Sequence, residues 1–373
     1  MSKLFDITGK ALSGEWGIDD ENSNGTPVLR TTNFTNEGFI DFKNVVTRKI
    51  NKKNIGEKYL RKGDIIVEKS GGSDKQPVGR VVYFEGQENT YLFNNFTGLL
   101  RIKDKEKWFP KYIFYSLYFN YRKGETRRFE NKTTGLHNLK IDDYISQCEI
   151  KNIDIETQIK ICKILDKIQE STKMLHVQAT QCNDLIKARF IEMFGDPISN
   201  SKKLKTQPLK DVLVLKAGDF TAASDILDKP STTHKYPCYG GNGIRGYVEK
   251  YNQDGEFSLI GRQGALSGNV QFASGKFKNT EHALLVTPIL EMNSIWLNQL
   301  LLNLDLKRYQ TGAAQPGLSV KNLQEIPIIV VSIDEQNQFA SLVEQIDKSK
   351  LVVQKSLEKT QQLFDSLMQE YFG

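Results

Sequence analysis

Apolar residues fall at alternating steps of four and three through two long stretches of the chain. In the first they are Ile161, Leu165, Ile168, Thr172, Leu175, Ala179, Cys182, Ile186, Arg189 and Met193. In the second they are Phe339, Val343, Ile346, Lys350, Val353, Leu357, Thr360, Phe364, Leu367 and Tyr371. This is the spacing of a coiled-coil seam, with a few polar or small residues in otherwise apolar positions. Neither stretch has an internal Gly or Pro, so residues 156–194 and 334–372 are predicted to be unbroken helices, each about 58 Å long at 1.5 Å per residue. Two such rods in one chain bury their seams most economically against each other; the alternative is that each packs on its own domain.

The two stretches superpose without a gap under a shift of 178 residues, which takes Gln158 to Gln336, Ile168 to Ile346, Leu185 to Leu363 and Phe194 to Phe372. An internal repeat therefore organises the chain. Ahead of each rod the pattern changes to short β-branched runs, scattered aromatics and glycine turns, as expected of mixed strands and loops. Residues 63–67 and 79–84 are predicted strands of the first unit, and 257–260 and 283–286 of the second. Residues 108–121 and 295–309 are predicted helices at equivalent places, and Gly135-Leu136 and Gly317-Leu318 mark matching exits toward the rods. Gly195-Asp196-Pro197 stops the first rod. The expected division is a globular unit at 1–152, a rod at 153–195, a polar linker at 196–207, a second globular unit at 208–330 and a second rod at 331–373. The fold class is α+β: two mixed α/β domains joined by two long antiparallel helices, with a pseudo-twofold repeat.

Composition narrows the function by exclusion. With 373 residues, 39% hydrophobic and 26% charged, the chain is an ordinary globular one rather than disordered or membrane-spanning. Its start carries no pattern of a secretory signal, so a cytoplasmic location is expected. The four cysteines form no CxxC pair and the four histidines no HExxH pair, so no metal site is expected. Residues 241–246 satisfy GxGxxG without the strand, helix and acidic residue of a dinucleotide site, and a tight turn between strands is the better reading. There is no GxxxxGK[ST] loop, no methyltransferase Asn-Pro-Pro or Asp-Pro-Pro element and no nuclease triad. No catalytic residues are expected, and the chain is not expected to be an enzyme.

A net charge of +6, from 51 Lys and Arg against 45 Asp and Glu, is compatible with an anionic partner. Two similar units on two antiparallel rods match the approximate twofold of duplex DNA, with the rods as a ruler. Arg suits guanine, and Asn or Gln suits adenine, through paired hydrogen bonds in the major groove. The candidate DNA-binding residues are Arg30, Thr32, Asn33, Lys69, Ser70, Lys75 and Gln76 in the first unit. In the second they are Lys235, Tyr239, Asn242, Arg245, Arg262 and Gln263. The basic run Arg122, Lys123, Arg127, Arg128 and Lys132 is a candidate phosphate contact. Two other readings are open: a coiled-coil scaffold that binds protein, and a stand-alone DNA-modifying enzyme with an unrecognised active site.

Residues 236–247 (YPCYGGNGIRGY), followed by 259–265 (LIGRQGA), 268–270 and His282-Ala283-Leu284, resemble a target recognition domain of the specificity subunits of type I restriction-modification systems. Residues 27–33 (PVLRTTN) and 63–67 resemble another domain type of that family, and the Gln-bearing rod starts and the exit at 194–197 are also similar to it. The resemblance implies a non-catalytic reader of double-stranded DNA whose two recognition domains each bind half of a split site. It implies that the helices span the gap and dock two modification subunits. Those subunits would carry S-adenosylmethionine and methylate a flipped adenine, and restriction subunits would add ATP and Mg. No cofactor is expected on this chain. The first unit lacks the signature of the second, so the two half-sites should differ.

Overall fold

The computed structural model describes residues 1–52, 54–133, 136–264, 266–312 and 317–373, the side chains of Lys132 and Thr133 excepted. The sequence readings at Gly135, Ala265 and the Lys132 side chain thus lie outside the described residues. The predicted rods form as continuous helices, Ile155–Phe194 and Ile333–Phe372. Two compact units partition the chain, and each contains part of both rods: one is residues 1–174 with 357–373, the other residues 175–356.

In the first unit a four-stranded antiparallel sheet has the order Leu12–Ser13, Thr97–Leu100, Ile65–Glu68, Val81–Tyr83. A second sheet joins Ile18–Asp19, Val46–Lys49, Thr26–Leu29 and Leu92–Phe93, and a third joins Glu130–Thr133, Leu136–Leu139 and Ser70–Gly72. Ile65, Ile66 and Val67 are all buried, so this strand is covered on both faces and reads as a continuous apolar run rather than an alternating one. The helix Pro110–Arg122 starts on a proline, whose missing N–H costs nothing in the first turn. It buries Tyr112, Ile113, Tyr115 and Tyr118 in one core with Ile161, Leu165 and Ile168 of the first rod and Phe364 and Met368 of the second.

The second unit is built on a six-stranded sheet of order Leu213–Ala217, Ala283–Pro288, Gln253–Gly261, Val270–Asn279, Tyr236–Gly240, Gly243–Val248. All its pairings are antiparallel except that of Tyr236–Gly240 with Val270–Asn279. The glycine turn of residues 241–242 closes a hairpin between adjacent strands, as its sequence suggests. Behind the sheet, Ser294–Asn303 buries Trp296, Leu297, Leu300 and Leu301 with Ile186, Phe190 and Phe194 of the first rod and Phe339 and Val343 of the second. Early turns of one rod thus share a core with late turns of the other in each unit, so the helices pack together antiparallel.

Three expectations need correction. The seam leaves its heptad register at the end of the first rod: Arg189 is exposed and pairs with Glu192, while Phe190 is fully buried, 5.5 Å from the Phe339 ring. A helix of 3.6 residues per turn drifts from a 3.5 repeat by about 20° per heptad, and Phe190 and Phe194 follow the helix toward the domain core. The helix expected over 295–309 ends at Asn303, because Asp305 adopts φ of 46° and the chain resumes as a 3-10 turn over Leu306–Tyr309. The end of the expected linker is not a loop, since Thr206–Pro208 pairs with Pro327–Ile329.

Candidate nucleic-acid interface

In the first unit the turn Thr31–Asn33 is folded from within. Asn33 is buried; its Oδ1 accepts from the Arg30 N–H at 2.9 Å and its Nδ2 donates to the Asp41 carbonyl at 3.0 Å. Its amide is therefore spent on the backbone, which corrects its assignment as a base-reading residue: it shapes the turn that presents Arg30 and Thr32. Arg80, absent from the sequence-based candidates, braces the same turn by donating to the carbonyls of Phe34 and Thr31 at 3.0 Å each. Its guanidinium also lies 3.3 Å from Glu68. Burial pushes the Glu68 carboxyl up, and the Arg80 charge opposes that shift. Through Arg80 the Arg30–Thr32 turn and the Lys69–Ser70 strand edge are held in one piece.

Lys69 donates to Ser13 Oγ at 3.2 Å, and partial burial lowers its pKa. Ser70 lies on the strand Ser70–Gly72, and the turn of residues 73–76 that follows exposes Lys75. Gln76 donates to the Tyr121 hydroxyl at 3.2 Å, so its amide already has an internal partner. His137, buried, reaches Glu130 at 2.9 Å and Asp74 at 3.5 Å, and Arg127 donates to the Asp74 carbonyl at 3.1 Å. Within the basic run, Arg122 is committed to Asp365 at 2.6 Å and Arg128 stands 3.7 Å from Glu125, whereas Lys123 remains exposed over the Phe119 ring. In the same unit a cleft of about 420 Å³ is lined by Trp16, Ile18, Lys49, Asn51, Lys52 and Asn95. Arg48 covers the Trp16 ring at 4.2 Å. The sequence signal for this cleft was a Trp set between Gly14 and Gly17.

In the second unit the loops converge because two glycines let the backbones touch. A Cβ on Gly261 would lie 2.1 Å from the Gly241 carbonyl oxygen, so no other residue fits there. This contact brings Asn242 beside Arg262 and Gln263. Asn269 donates to Asn242 Oδ1 at 3.3 Å, and the Arg262 N–H donates to the His282 carbonyl at 3.1 Å. His282 meets Gln263 Oε1 through Nδ1 at 2.7 Å and Glu281 through Nε2 at 3.1 Å. Tyr239 is half-buried against Phe277 and burial raises its phenol pKa; its carbonyl accepts from the Thr280 N–H and hydroxyl. Arg245 packs its stem over Gly240, and Lys235, just before the strand Tyr236–Gly240, stands over the Tyr236 ring at 5.2 Å. Asn269, Glu281 and His282 complete this surface and were not among the sequence-based candidates, although Asn269 and His282 lie in the motif.

The two surfaces are polar, glycine-shaped and chemically different, and each offers exposed Lys, Arg, Asn or Gln on the turns and loops beside its strands. Among the described residues no group of three or more His, Cys, Asp or Glu is placed to hold a metal ion. None of the described helices is long and apolar enough to cross a membrane.

Known proteins show the same organisation. The chain is 37% identical over 194 residues to the type I restriction enzyme EcoprrI specificity subunit of Escherichia coli, covering 51% of this chain and 48% of that one. It is 32% identical over 111 residues to a putative type I restriction enzyme specificity subunit of Haemophilus influenzae, 29% of each chain. These matches span about half or less of the relatives' length. The fold is similar to that of the type I restriction-modification S subunit from M. genitalium, with a TM-score of 0.61, 17% identity and coverage of 100% and 95% of the two chains. A chain from a structure of type I system assembly and conformational transition matches with a TM-score of 0.58 at 13% identity, covering 100% and 96%. Residues 2–181 and 201–361 match the family described as type I restriction modification DNA specificity domain. With both halves matched, the chain belongs to that family.

Proposed function

We propose that this chain is the non-catalytic, DNA-reading subunit of a type I restriction-modification complex, in which each domain reads one half of a bipartite, asymmetric site in double-stranded DNA. The observation that carries this reading is the presence, in two family-matched domains of one chain, of two differently built polar loop surfaces. Unlike surfaces read unlike sequences, since Arg, Asn and Gln each suit a different base edge. The proposed base-contacting groups are Arg30, Thr32, Lys69, Ser70 and Lys75 in one domain. In the other they are Asn242, Arg245, Arg262 and Gln263, with Tyr239 and Lys235 alongside. The rods would set the spacing between half-sites.

The rods also carry apolar side chains turned away from the seam. Ile164, Met174 and Leu363 are exposed in the first unit, and Val177, Leu185, Ile191, Leu351 and Val352 in the second. Exposed apolar rows of this kind suit helix-to-protein docking, here of two modification subunits that would supply S-adenosylmethionine and the methyl transfer. Restriction subunits, with ATP and Mg, would complete the complex, and its expected location is the cytoplasm. The test is to co-express the chain with the modification subunit of its operon and map methylated adenines in genomic DNA. A split, asymmetric motif that vanishes when this chain is deleted is expected; methylation indifferent to the deletion would overturn the reading and favour a protein-binding scaffold.

A further inference from the structure

Gln263 is an exposed amide of the second surface held by another side chain at hydrogen-bond distance, and what holds it decides what it can read. An amide has a donor face and an acceptor face, and they recognise opposite groups on a base edge. Gln263 Oε1 lies 2.7 Å from Nδ1 of His282, so one end of the Gln263 amide is held on that ring nitrogen. On its far side His282 meets Glu281, whose Oε1 lies 3.1 Å from Nε2. The second oxygen of Glu281 is buried without a hydrogen-bond partner among the described residues, so the imidazole is the carboxyl group's contact in this cluster. The ring is further fixed by its own backbone, whose carbonyl accepts from the Arg262 N–H at 3.1 Å. His282 therefore sits between a carboxylate and the Gln263 oxygen, in the same loop cluster as Arg262 and Asn242.

We infer that His282, backed by Glu281, is a specificity-determining positioning residue. It holds one end of the Gln263 amide and so fixes which end faces DNA, and with it which hydrogen-bonding group on a base edge Gln263 selects. The inference rests on the proposed DNA-reading function and deepens it. It is tested in the complex co-expressed with its modification subunit, by mapping genomic methylation for Gln263→Ala and His282→Leu. Both variants are expected to relax the same single base pair of the motif, with discrimination there falling by about tenfold, within what one base-edge contact is worth. A change of base preference at one position is not what a general loss of stability produces. If Gln263→Ala relaxes a position and His282→Leu does not, the inference is overturned. If Gln263→Ala leaves the motif intact while the motif still depends on the chain, Gln263 is not a base contact; the inference then falls and the domain-level reading stands. Should His282→Leu abolish methylation altogether, Glu281→Gln is read in the same way: relaxation of the Gln263 position supports the inference, and an unchanged motif overturns it.

Discussion

Burial sorts residues of one type into different chemical roles. Cys148, Cys162 and Cys238 are buried, and Cys182 is half-buried on the first rod. Burial pushes the Cys148 thiol up to about 11 and raises Cys162 and Cys238 as well, since desolvation disfavours the thiolate. Iodoacetamide at pH 8 should therefore modify Cys182 first, with Cys148 and Cys162 slower by more than about tenfold, each pKa unit being worth about a factor of ten in thiolate. Peptide mass mapping of the folded chain checks this, and equal labelling of all four would refute it. The same sorting separates Asn33 from Asn242. Both were read as candidate base contacts, but one is consumed by its own turn and the other is presented to solvent. Side-chain type was legible in the sequence; whether a hydrogen-bonding group was already occupied was not.

At the level of elements, the repeat reuses one device at the start of each rod. Gln158 is buried, accepts from the Phe109 N–H at 2.9 Å, and donates to the carbonyls of Lys107 at 3.0 Å and Ile153 at 2.9 Å. Gln336, its equivalent, accepts from the Asn293 N–H at 2.9 Å and donates to the Val331 carbonyl at 3.1 Å. Each ties the rod to the segment just before the domain's buried helix. Replacing either by Leu strands backbone groups away from water, at a cost of about 1–3 kcal/mol for each group left unpaired. Gln158→Leu is expected to destabilise more than Gln336→Leu, because it strands three groups against two. Urea denaturation of the full chain checks the order, with the exposed Lys160→Ala as a control expected within about 0.5 kcal/mol of the parent. The pairing of the two glutamines by the 178-residue shift was visible in the sequence, whereas their partners were not.

For the whole molecule, the proposed ruler makes a prediction in base pairs. Seven residues inserted at equivalent points of both rods keep the seam in register and lengthen each rod by about 10 Å. At about 3.4 Å per base pair, the gap in the methylated motif should grow by about three pairs with both half-sites unchanged. Methylation mapping of the co-expressed complex reads this directly, and an unchanged gap would show that the rods do not set the spacing. Insertion in one rod alone should abolish methylation, since it slips one apolar seam against the other.

The amino-acid sequence by itself determined the long helices, their repeat and the glycine turn at residues 241–242. These depend on local periodicity and on residues without a Cβ, which act the same way in any context. The tertiary structure alone decided where the seam leaves its register at Phe190, which basic residues are spent on internal partners, and that Arg80, His137, Glu281 and His282 shape the loops. Those outcomes depend on contacts between segments far apart in sequence: Arg80 reaches a turn 46 to 49 residues away, and His282 meets Gln263 across 19 residues. A hydrogen bond between distant loops leaves no periodic trace in the chain, because its geometry exists only once the sheet beneath it has formed.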